Sequence, residues 1–378
     1  MRRYDELPGT GSHLQEKVKH IVETKGTPAL VIDQRLIREK YEEFRSHFKE
    51  ARIYYALKAN PHPGIVQLLQ GLGCEFEISS QGELELMVKL EVPTGRIISG
   101  NPVKEPVFVE KAHFNGINLF AFDSYAEIEK LAEYAPGSGV IVRLSVPNDG
   151  SEWPLSKKFG VEPEDAADLL RQANVRGLKP LGVTFHVGSQ CTRASTWAKA
   201  VEKSRIVWEL AADRGIELHL LNVGGGFPVE YLKPVPSVAE IAGTIQESVA
   251  MAFPGGIDLA IAPGRALVGE AGMLAATVIA KAVRDAKPWF YLDVGVFNGL
   301  MEAVGGIKYR MLTTRNGPAI PCVLAGPSCD SFDVISTEAE LPDLEVGDRV
   351  YIMSAGAYTT AYASQFDGFR IPAIHYTE

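Results

Sequence analysis

The sequence lacks the features that mark membrane, secreted and nucleic-acid-binding proteins. No run of about 18 apolar residues occurs, and residues 1–26 contain two arginines but no apolar segment of a signal peptide. The four cysteines lie far apart and form no CxxC motif, so neither a disulfide scaffold nor a zinc site is indicated. Lys and Arg number 38 against 47 Asp and Glu, and no basic stretch is dense enough to neutralise a phosphate backbone. We expect a cytoplasmic protein that binds neither membrane nor nucleic acid.

The alternation of apolar and amphipathic segments predicts a barrel. The 378 residues leave room for two domains. From residue 51, short apolar or β-branched runs alternate with longer amphipathic stretches, a pattern typical of βα units around a parallel sheet. Eight such units predict an α/β fold of the (β/α)8 or TIM-barrel type in preference to a doubly wound sheet. The predicted strands are Ile53–Leu57, Cys74–Ser79, Arg96–Ser99, Leu119–Asp123, Val140–Val146, Gly182–His186, Glu217–Val223 and Leu259–Ala262.

The end of the chain has a different rhythm. After Arg265, short strands with turn signals follow one another without long helices, which predicts an all-β domain. The strand-like run Pro28–Asp33 precedes the barrel, and we expect this N-terminal segment to join the β-domain. The predicted domains are a barrel over 30–265 and a β-domain formed by 1–29 and 266–378.

Lys58 is the first candidate for chemistry. It ends an apolar run, YYALKAN at 54–60. Burial of a lysine ammonium is costly, and desolvation lowers the lysine pKa and favours Schiff-base chemistry. The alternative is an ordinary solvated lysine just past a strand. Because the carboxyl ends of barrel strands carry the active sites of this fold, the position favours a functional role.

Two glycine-containing turns predict a phosphate site. The turn GGGFP at 224–228 exposes successive backbone N–H groups, and PGR at 263–265 adds the guanidinium of Arg265. Both turns follow late barrel strands, where barrels usually hold phosphate. A tight turn with no ligand is the alternative for either motif alone.

Further polar residues follow the strands or lie in turns of the β-domain. His186 lies in FHVGS at 185–189, where its ring could stack on a pyridine cofactor and Ser189 could donate to a phosphate. A core histidine bonded to the backbone is the alternative. Cys329, within GPSCDS at 326–331, is a candidate acid if its thiol is exposed, and otherwise a small buried residue.

Together these motifs resemble the fold-type III, pyridoxal phosphate-dependent decarboxylases, which include ornithine, lysine, arginine and diaminopimelate decarboxylases. The family combines an alanine racemase-like barrel with a β-domain, and the resemblance covers essentially the whole chain. Its motifs occur here in the family's order: YALKAN at 55–60, FHVGS at 185–189, GGGFP at 224–228, PGR at 263–265, GPSCD at 326–330 and GAYT at 356–359. The ornithine-like branch is favoured over the diaminopimelate branch by Phe227-Pro228 and Cys329-Asp330.

The resemblance implies roles for individual residues. Lys58 would hold pyridoxal 5'-phosphate covalently, His186 would stack on its ring, and Cys329 would protonate the substrate. Other cofactor-binding residues would be Glu77, Arg143, Ser189, Gly225, Gly226, Ala262, Gly264, Arg265 and Tyr358, with Glu83 in support. Substrate-binding residues would be Asp330, Glu302 and Tyr358. The family also implies a homodimer in which Cys329 and Asp330 reach the partner's site.

Two departures from the family pattern affect this interpretation. The family usually has a glutamate before PGR that keeps the pyridine nitrogen protonated, and here Ala262 takes that place. The family also has an aspartate that binds the distal ammonium near the end of a short helix, where this chain has Gly305-Gly306. The first departure predicts weakened activity, a substitute group or a deliberate change of this residue, and the second would admit a larger or differently charged substrate.

The predicted reaction is decarboxylation of a basic L-amino acid, ornithine or lysine, to an amine and CO2, with polyamine synthesis as the natural setting. A different or larger substrate is one alternative. An amino-acid racemase shares the barrel and the cofactor but lacks a turn such as Cys329-Asp330. A catalytically impaired homologue that binds a protein partner is the alternative that Ala262 favours most.

Overall fold

The computed structural model describes residues 12–154 and 158–378. Residues 1–11 of the predicted β-domain therefore lie outside the described residues. In the described ranges, the α-helices are α1 Ser12–Lys25, α2 Gln34–His47, α3 Pro63–Gly71, α4 Gln81–Lys89, α5 Pro106–Phe114, α6 Tyr125–Tyr134, α7 Pro163–Val175, α8 Ser195–Asp213, α9 Val238–Ala252 and α10 Arg265–Val268. None of these described helices is long and apolar enough to cross a membrane.

The strands fall into a closed barrel, a mixed sheet and a short ribbon. The barrel strands are β2 Arg52–Ala56, β3 Glu75–Ile78, β4 Ile97–Ser99, β5 Leu119–Phe122, β6 Gly139–Arg143, β8 Lys179–Thr184, β10 Leu220–Asn222 and β11 Asp258–Ile261. The remaining strands are β1 Ala29–Asp33, β7 Ser151–Trp153, β9 Ser189–Cys191, β12 Gly272–Arg284, β13 Lys287–Leu292, β14 Met311–Thr313, β15 Ile320–Ala325, β16 Val334–Leu341, β17 Arg349–Ile352 and β18 Ala373–Thr377.

The predicted (β/α)8 barrel is confirmed. Its eight strands are parallel and neighbours in chain order, and pairing of Ile261 with Ile53 closes the sheet between β11 and β2. The large side chain of Tyr54 packs in the interior against small residues such as Ala121, Ala260 and Ala262. This mixture of large and small side chains fills the barrel as a core, so the chemistry is left to the strand ends.

Short polar motifs begin several of the barrel helices. Ser80, Ser124 and Ser237 each precede a helix and accept a hydrogen bond from the backbone N–H three residues later. That third residue is a glutamate in all three helices, the spacing of a capping box. These caps end the loops after β3, β5 and β10, and so help to define where each loop stops.

The β-domain is a mixed sheet that includes the N-terminal segment, as the sequence predicts. Strands β14, β17, β12, β13, β15 and β16 are neighbours in that order. Strand β1 pairs antiparallel with β12 and parallel with β18. Helix α1 contributes Val18 and Val22 to an apolar cluster that contains Val31 of β1 and Met273 of β12.

The chain divides into two compact units. One contains 12–40, Val229–Pro234 and Arg265–Glu378, and the other contains the described residues of Tyr41–Pro228 together with Val235–Gly264. The sequence did not indicate that the short segment Val229–Pro234 groups with the β-domain. The domain boundaries proposed at residues 30 and 265 stay a prediction.

Candidate active site

Lys58 lies directly beyond the carboxyl end of β2. It occupies a 3-10 turn, Leu57–Ala59, in which Leu57 and Ala59 are buried and the lysine side chain is exposed. The lysine is therefore exposed at the strand end and is not desolvated by burial. The neighbouring turn packs closely, because a Cβ on Gly264 would lie 3.1 Å from the Cβ of Ala59.

Glu77, Glu83 and His186 lie within electrostatic reach of Lys58, and Arg143 lies within reach of Glu77. Burial raises the pKa of Glu77 on β3, and the positive charges of Lys58 and Arg143 oppose that shift. Burial lowers the pKa of Arg143 at the end of β6, against the opposing effects of Glu77 and Asp123. The Glu77 carboxylate sits where a side chain on Gly100 would have to be, with its Cδ 2.2 Å from the Cβ position. The loop after β4 is thus built around this carboxylate.

Glu83 belongs to the same group of residues. It lies in the first turn of α4, and its carboxylate accepts a hydrogen bond of 2.6 Å from the N–H of Ser79. Burial raises the pKa of Glu83, and the negative charge of Glu77 raises it further. The hydrogen bond from Ser79 and the positive charge of Lys58 oppose this shift. Two carboxylates and one lysine therefore share the carboxyl ends of β2 and β3.

His186 is held as a neutral imidazole. Burial lowers its pKa well below the usual 6.5, and the positive charges of Lys58 and Arg143 lower it further. The backbone N–H of Gly188 donates to its Nδ1 at 3.0 Å, so the ring proton of the neutral form is on Nε2. A neutral planar ring fixed by a backbone hydrogen bond is suited to stacking on another aromatic system.

The three glycines at 224–226 form a turn into which no side chain fits. A Cβ on Gly224 would lie 2.0 Å from the carbonyl oxygen of Phe185, and one on Gly225 would lie 2.6 Å from that of Ala262. A Cβ on Gly226 would lie 2.5 Å from the oxygen of Gly188. The turn therefore packs its backbone against the loop after β8, close to the end of β11. Ser189 begins β9, which pairs with β7, so it has a fixed place beside this turn.

Ala262 places an apolar methyl group at the end of β11. It is 4% exposed and packs with the apolar side chains of the barrel interior, including Tyr54 and Ala260. The end of β11 therefore presents a methyl group, and no charged group, at this position.

The β-domain contains a buried ion pair that the sequence did not predict. The two terminal nitrogens of Arg265 donate to the two oxygens of Glu302, each at 2.6 Å, and both side chains are almost completely buried. Arg265 also donates to the hydroxyl of Tyr231 at 2.6 Å, and its guanidinium lies 4.7 Å from the ring centre of Tyr358. Tyr358 has a φ of +58°, a conformation that is uncommon for a bulky residue.

Cys329 is exposed, as its proposed role as an acid requires. Its thiol and its backbone N–H both donate to the same carboxylate oxygen of Asp367, at 3.2 Å each. This hydrogen bond and the negative charge of Asp367 raise the pKa of the thiol, which stays protonated over a wider range of pH. Asp330 follows in the same exposed turn.

The comparison with a protein-family model decides the class of this protein. The model of the pyridoxal-dependent decarboxylases, pyridoxal binding domain, matches residues 34–269, which is more than half of the chain. The chain belongs to this family. It is an enzyme family that uses pyridoxal phosphate, and the predicted decarboxylase class and cofactor are confirmed.

Individual relatives cover nearly the whole decarboxylase. A lysine/ornithine decarboxylase of Selenomonas ruminantium is 36% identical, with 94% of this chain and 91% of the relative covered. Antizyme inhibitor 2 of Xenopus laevis is 32% identical over 96% of this chain and 84% of its own. The structure of lysine/ornithine decarboxylase from Vibrio vulnificus, complexed with cadaverine, matches with a TM-score of 0.91 and 32% identity, and covers 97% of this chain and 99% of that one.

The residues at the barrel's strand ends fit pyridoxal phosphate with one exception. The glycine turn leaves backbone where side chains would clash, the neutral His186 ring can face a pyridine, and Lys58 supplies an amine. The exception is Ala262, which offers no carboxylate to a ring nitrogen. The roles of the individual site residues stay predictions.

Proposed function

We propose that this decarboxylase removes CO2 from a basic L-amino acid, lysine or ornithine, and releases the corresponding diamine. The observation that carries the proposal is the group of residues around Lys58. This amine lies at a strand end within electrostatic reach of Glu77, Glu83 and His186. All four residues belong to the compact unit that also contains the glycine turn at 224–226. The names of the relatives from Selenomonas ruminantium and Vibrio vulnificus support the choice of lysine and ornithine.

The proposed binding residues divide by chemistry. Lys58 would hold the cofactor covalently through Nζ, and the neutral ring of His186 would pack on its face. The backbone of Gly225, Gly226 and Gly264 and the hydroxyl of Ser189 would hold the phosphate, with Arg265 and Tyr358 as further ligands. Glu77 and Arg143, both partly buried and opposite in charge, would fix the polar edge of the ring.

The bound pyridoxal phosphate supplies an electron sink for the pair of electrons left when the α-carboxylate departs as CO2. Cys329 then donates a proton from Sγ to the α-carbon, and its thiolate recovers a proton from water. The raised pKa of the thiol suits this role, because an acid must be protonated when the α-carbon needs the proton. Lys58 would supply through Nζ the amine that displaces the product, which would leave as the free diamine.

Asp330 is the residue that we assign to the distal ammonium of the substrate. Glu302, the other carboxylate that the resemblance implies, has both oxygens engaged by Arg265. A buried carboxylate with an arginine partner has little free charge for a second cation. We therefore propose that Glu302 acts by holding Arg265, while Asp330 in its exposed turn contacts the substrate.

A homodimer with shared sites completes the proposal. Cys329 lies on the surface beside aromatic side chains: Phe332 is 54% exposed and Phe366 is 41% exposed, and both rings pack against Phe297. Exposed aromatic patches of this kind mark protein interfaces. We propose that this surface meets a second copy of the chain and brings Cys329 and Asp330 to its site. The cytoplasmic location and a role in polyamine synthesis stay predictions.

Covalent cofactor attachment tests the assignment of Lys58. The protein is incubated with pyridoxal phosphate, reduced with borohydride and digested, and the peptide that carries the cofactor mass is identified. We expect the cofactor on Lys58, and its loss from that peptide together with loss of turnover in Lys58→Ala. The matched control is Lys89→Ala, which removes an exposed lysine of α4. Attachment at another lysine, or turnover by Lys58→Ala, would show that the assignment is wrong.

A catalytically impaired binding protein is the second candidate. Ala262 favours it, because the position offers no carboxylate to the cofactor, and the relative named Antizyme inhibitor 2 is 32% identical over most of the chain. On this alternative Ala262→Glu restores decarboxylation to a protein that lacks it. Turnover by the unaltered chain decides against this candidate.

A further inference from the structure

The carboxylate of Asp333 lies buried between two loops of the β-domain. Its residue is only 3% exposed. One oxygen, Oδ1, accepts the backbone N–H of Val296 at 2.8 Å, and the other, Oδ2, accepts the backbone N–H of Ser328 at 3.0 Å. A single side chain thus joins the loop after β13 to the loop after β15 by two charge-assisted hydrogen bonds.

Both loops have a glycine where the carboxylate lies. A Cβ on Gly295 would lie 2.0 Å from Oδ1 of Asp333, and a Cβ on Gly326 would lie 2.2 Å from the same atom. In each case the three nearest atoms all belong to the Asp333 carboxylate. The two glycines therefore make room for this one group, and the loops are shaped around it.

Each loop carries residues that the proposed reaction needs. Ser328 directly precedes Cys329, and the N–H of Asp333 donates to the carbonyl oxygen of Asp330 at 3.0 Å. On the other loop, the carbonyl oxygen of Gly295 accepts the N–H of Leu300 at 2.8 Å, two residues before Glu302. Asp333 is thereby connected to the turn of the acid and to the segment that holds Arg265.

We propose that Asp333 is a positioning residue that fixes the Cys329 turn relative to the segment Gly295–Glu302. It contacts neither substrate nor cofactor, and it acts through the two backbone N–H groups that it binds. The catalytic part of this inference rests on the proposed role of Cys329. The structural part, a carboxylate that two glycines accommodate, is tested separately.

A double-mutant cycle tests the steric part. Gly326→Ala should lower the thermal unfolding midpoint strongly in the unaltered protein, because its methyl group meets the carboxylate. In the Asp333→Ala background, Gly326→Ala should lower the thermal unfolding midpoint much less, because the carboxylate atoms that its methyl group would meet are absent. The control is Gly272→Ala, whose methyl group would meet the backbone of Gly356 at 2.2 Å whether or not Asp333 is present. Equal costs of Gly326→Ala in both backgrounds would overturn the inference.

The reactivity of Cys329 tests the positioning part without any assay of decarboxylation. Of the four cysteines only Cys329 is exposed, so iodoacetamide reports on it selectively. Release of the turn in Asp333→Ala should disturb the hydrogen bond from Cys329 to Asp367. The midpoint of the profile of alkylation rate against pH should then move down by about half a pH unit, which corresponds to about threefold more thiolate at pH 8. Asp333→Asn, which keeps one acceptor oxygen, should shift it less and serves if the alanine variant does not fold. Asp343→Ala, an exposed aspartate of the same domain, is the control.

Turnover completes the test on the holoenzyme. Asp333→Ala should lower kcat by about tenfold or more with little change in KM, because substrate binds but the acid is misplaced. Unchanged alkylation and unchanged kcat in folded variants would overturn the positioning role. A shifted alkylation profile in a protein that decarboxylates no amino acid would leave the positioning role in place and show that the proposed function is wrong.

Discussion

Buried charge controls the chemistry of single residues at the carboxyl end of the barrel. Burial raises the pKa values of Glu77 and Glu83, and lowers those of Arg143 and His186. The positive charge of Lys58 lowers the pKa of both carboxyl groups and of the imidazole. The residues that the sequence motifs predicted are therefore linked electrostatically, in addition to lying on neighbouring strands.

His186 should make stability depend on pH. Its folded pKa lies well below 6.5, so its contribution is fully present above pH 6.5 and is lost as pH falls through the folded value. The free energy of unfolding in urea should therefore fall between pH 7 and 5.5 in the cofactor-free protein. This fall should be about 1 kcal/mol smaller in His186→Asn than in the unaltered protein. Parallel pH profiles for the two proteins would show that the imidazole is not held neutral.

The Glu302–Arg265 pair should matter for folding more than any surface ion pair. Glu302→Ala leaves a buried guanidinium without its carboxylate, and such losses cost about 3–5 kcal/mol. Urea unfolding followed by tryptophan fluorescence measures the change. The control is Glu338→Ala, which breaks the exposed ion pair with Lys308 and should have little effect. Equal effects of the two substitutions would contradict the buried pair.

Sequence motifs predicted the positions of single residues where a motif lies directly after a strand. Lys58 and His186 follow apolar runs, and the strand period places them at one end of the barrel. The partners of Arg265 and Cys329 were missed, because Glu302 is 37 residues from Arg265 and Asp367 is 38 residues from Cys329. Such pairs depend on tertiary folding, which neither periodicity nor spacing encodes.

At the scale of secondary-structure elements, the loops after β8 and β10 and the end of β11 pack backbone against backbone. The glycine turn at 224–226 allows this close approach, and no larger residue fits. Since phosphate would be held by backbone N–H groups of this turn, its shape should control cofactor affinity.

Gly225→Ala should therefore weaken cofactor binding by about tenfold or more, because its methyl group would lie 2.6 Å from the oxygen of Ala262 and displace the turn. Titration of the protein with pyridoxal phosphate, followed by absorbance, measures the affinity. Gly243→Ala is the matched control: it lies in α9 with open space around it, and should stabilise the helix by roughly 0.5–1 kcal/mol without changing affinity. An unchanged affinity of the Gly225 variant would remove the turn from the phosphate site.

The elements themselves were largely predictable. All eight barrel strands and the C-terminal β-domain were recognised because each is an apolar run bounded by polar or turn residues. The ribbon of β7 and β9 was not, since each strand has three residues and is defined by its pairing. The grouping of Val229–Pro234 with the β-domain is likewise a tertiary feature.

For the whole molecule, the proposal of shared sites predicts complementation between inactive variants. Lys58→Ala and Cys329→Ala impair opposite halves of each site. Subunit exchange between them should produce heterodimers with one intact site, and random mixing should recover about a quarter of the unaltered activity. Each variant incubated alone is the control. No recovery, in mixtures that sedimentation shows to be dimeric and exchanged, would place both residues in one chain's own site.

Decarboxylation itself tests the central claim most directly. The protein, Ala262→Glu and Lys58→Ala are each incubated with pyridoxal phosphate and a mixture of lysine, ornithine, arginine, diaminopimelate and glutamate, and the amines formed are measured by mass spectrometry. We expect cadaverine or putrescine from the unaltered protein, more of it from Ala262→Glu, and none from Lys58→Ala. No amine from the unaltered protein would contradict the account, and amine from Ala262→Glu alone would identify the chain as a disabled decarboxylase.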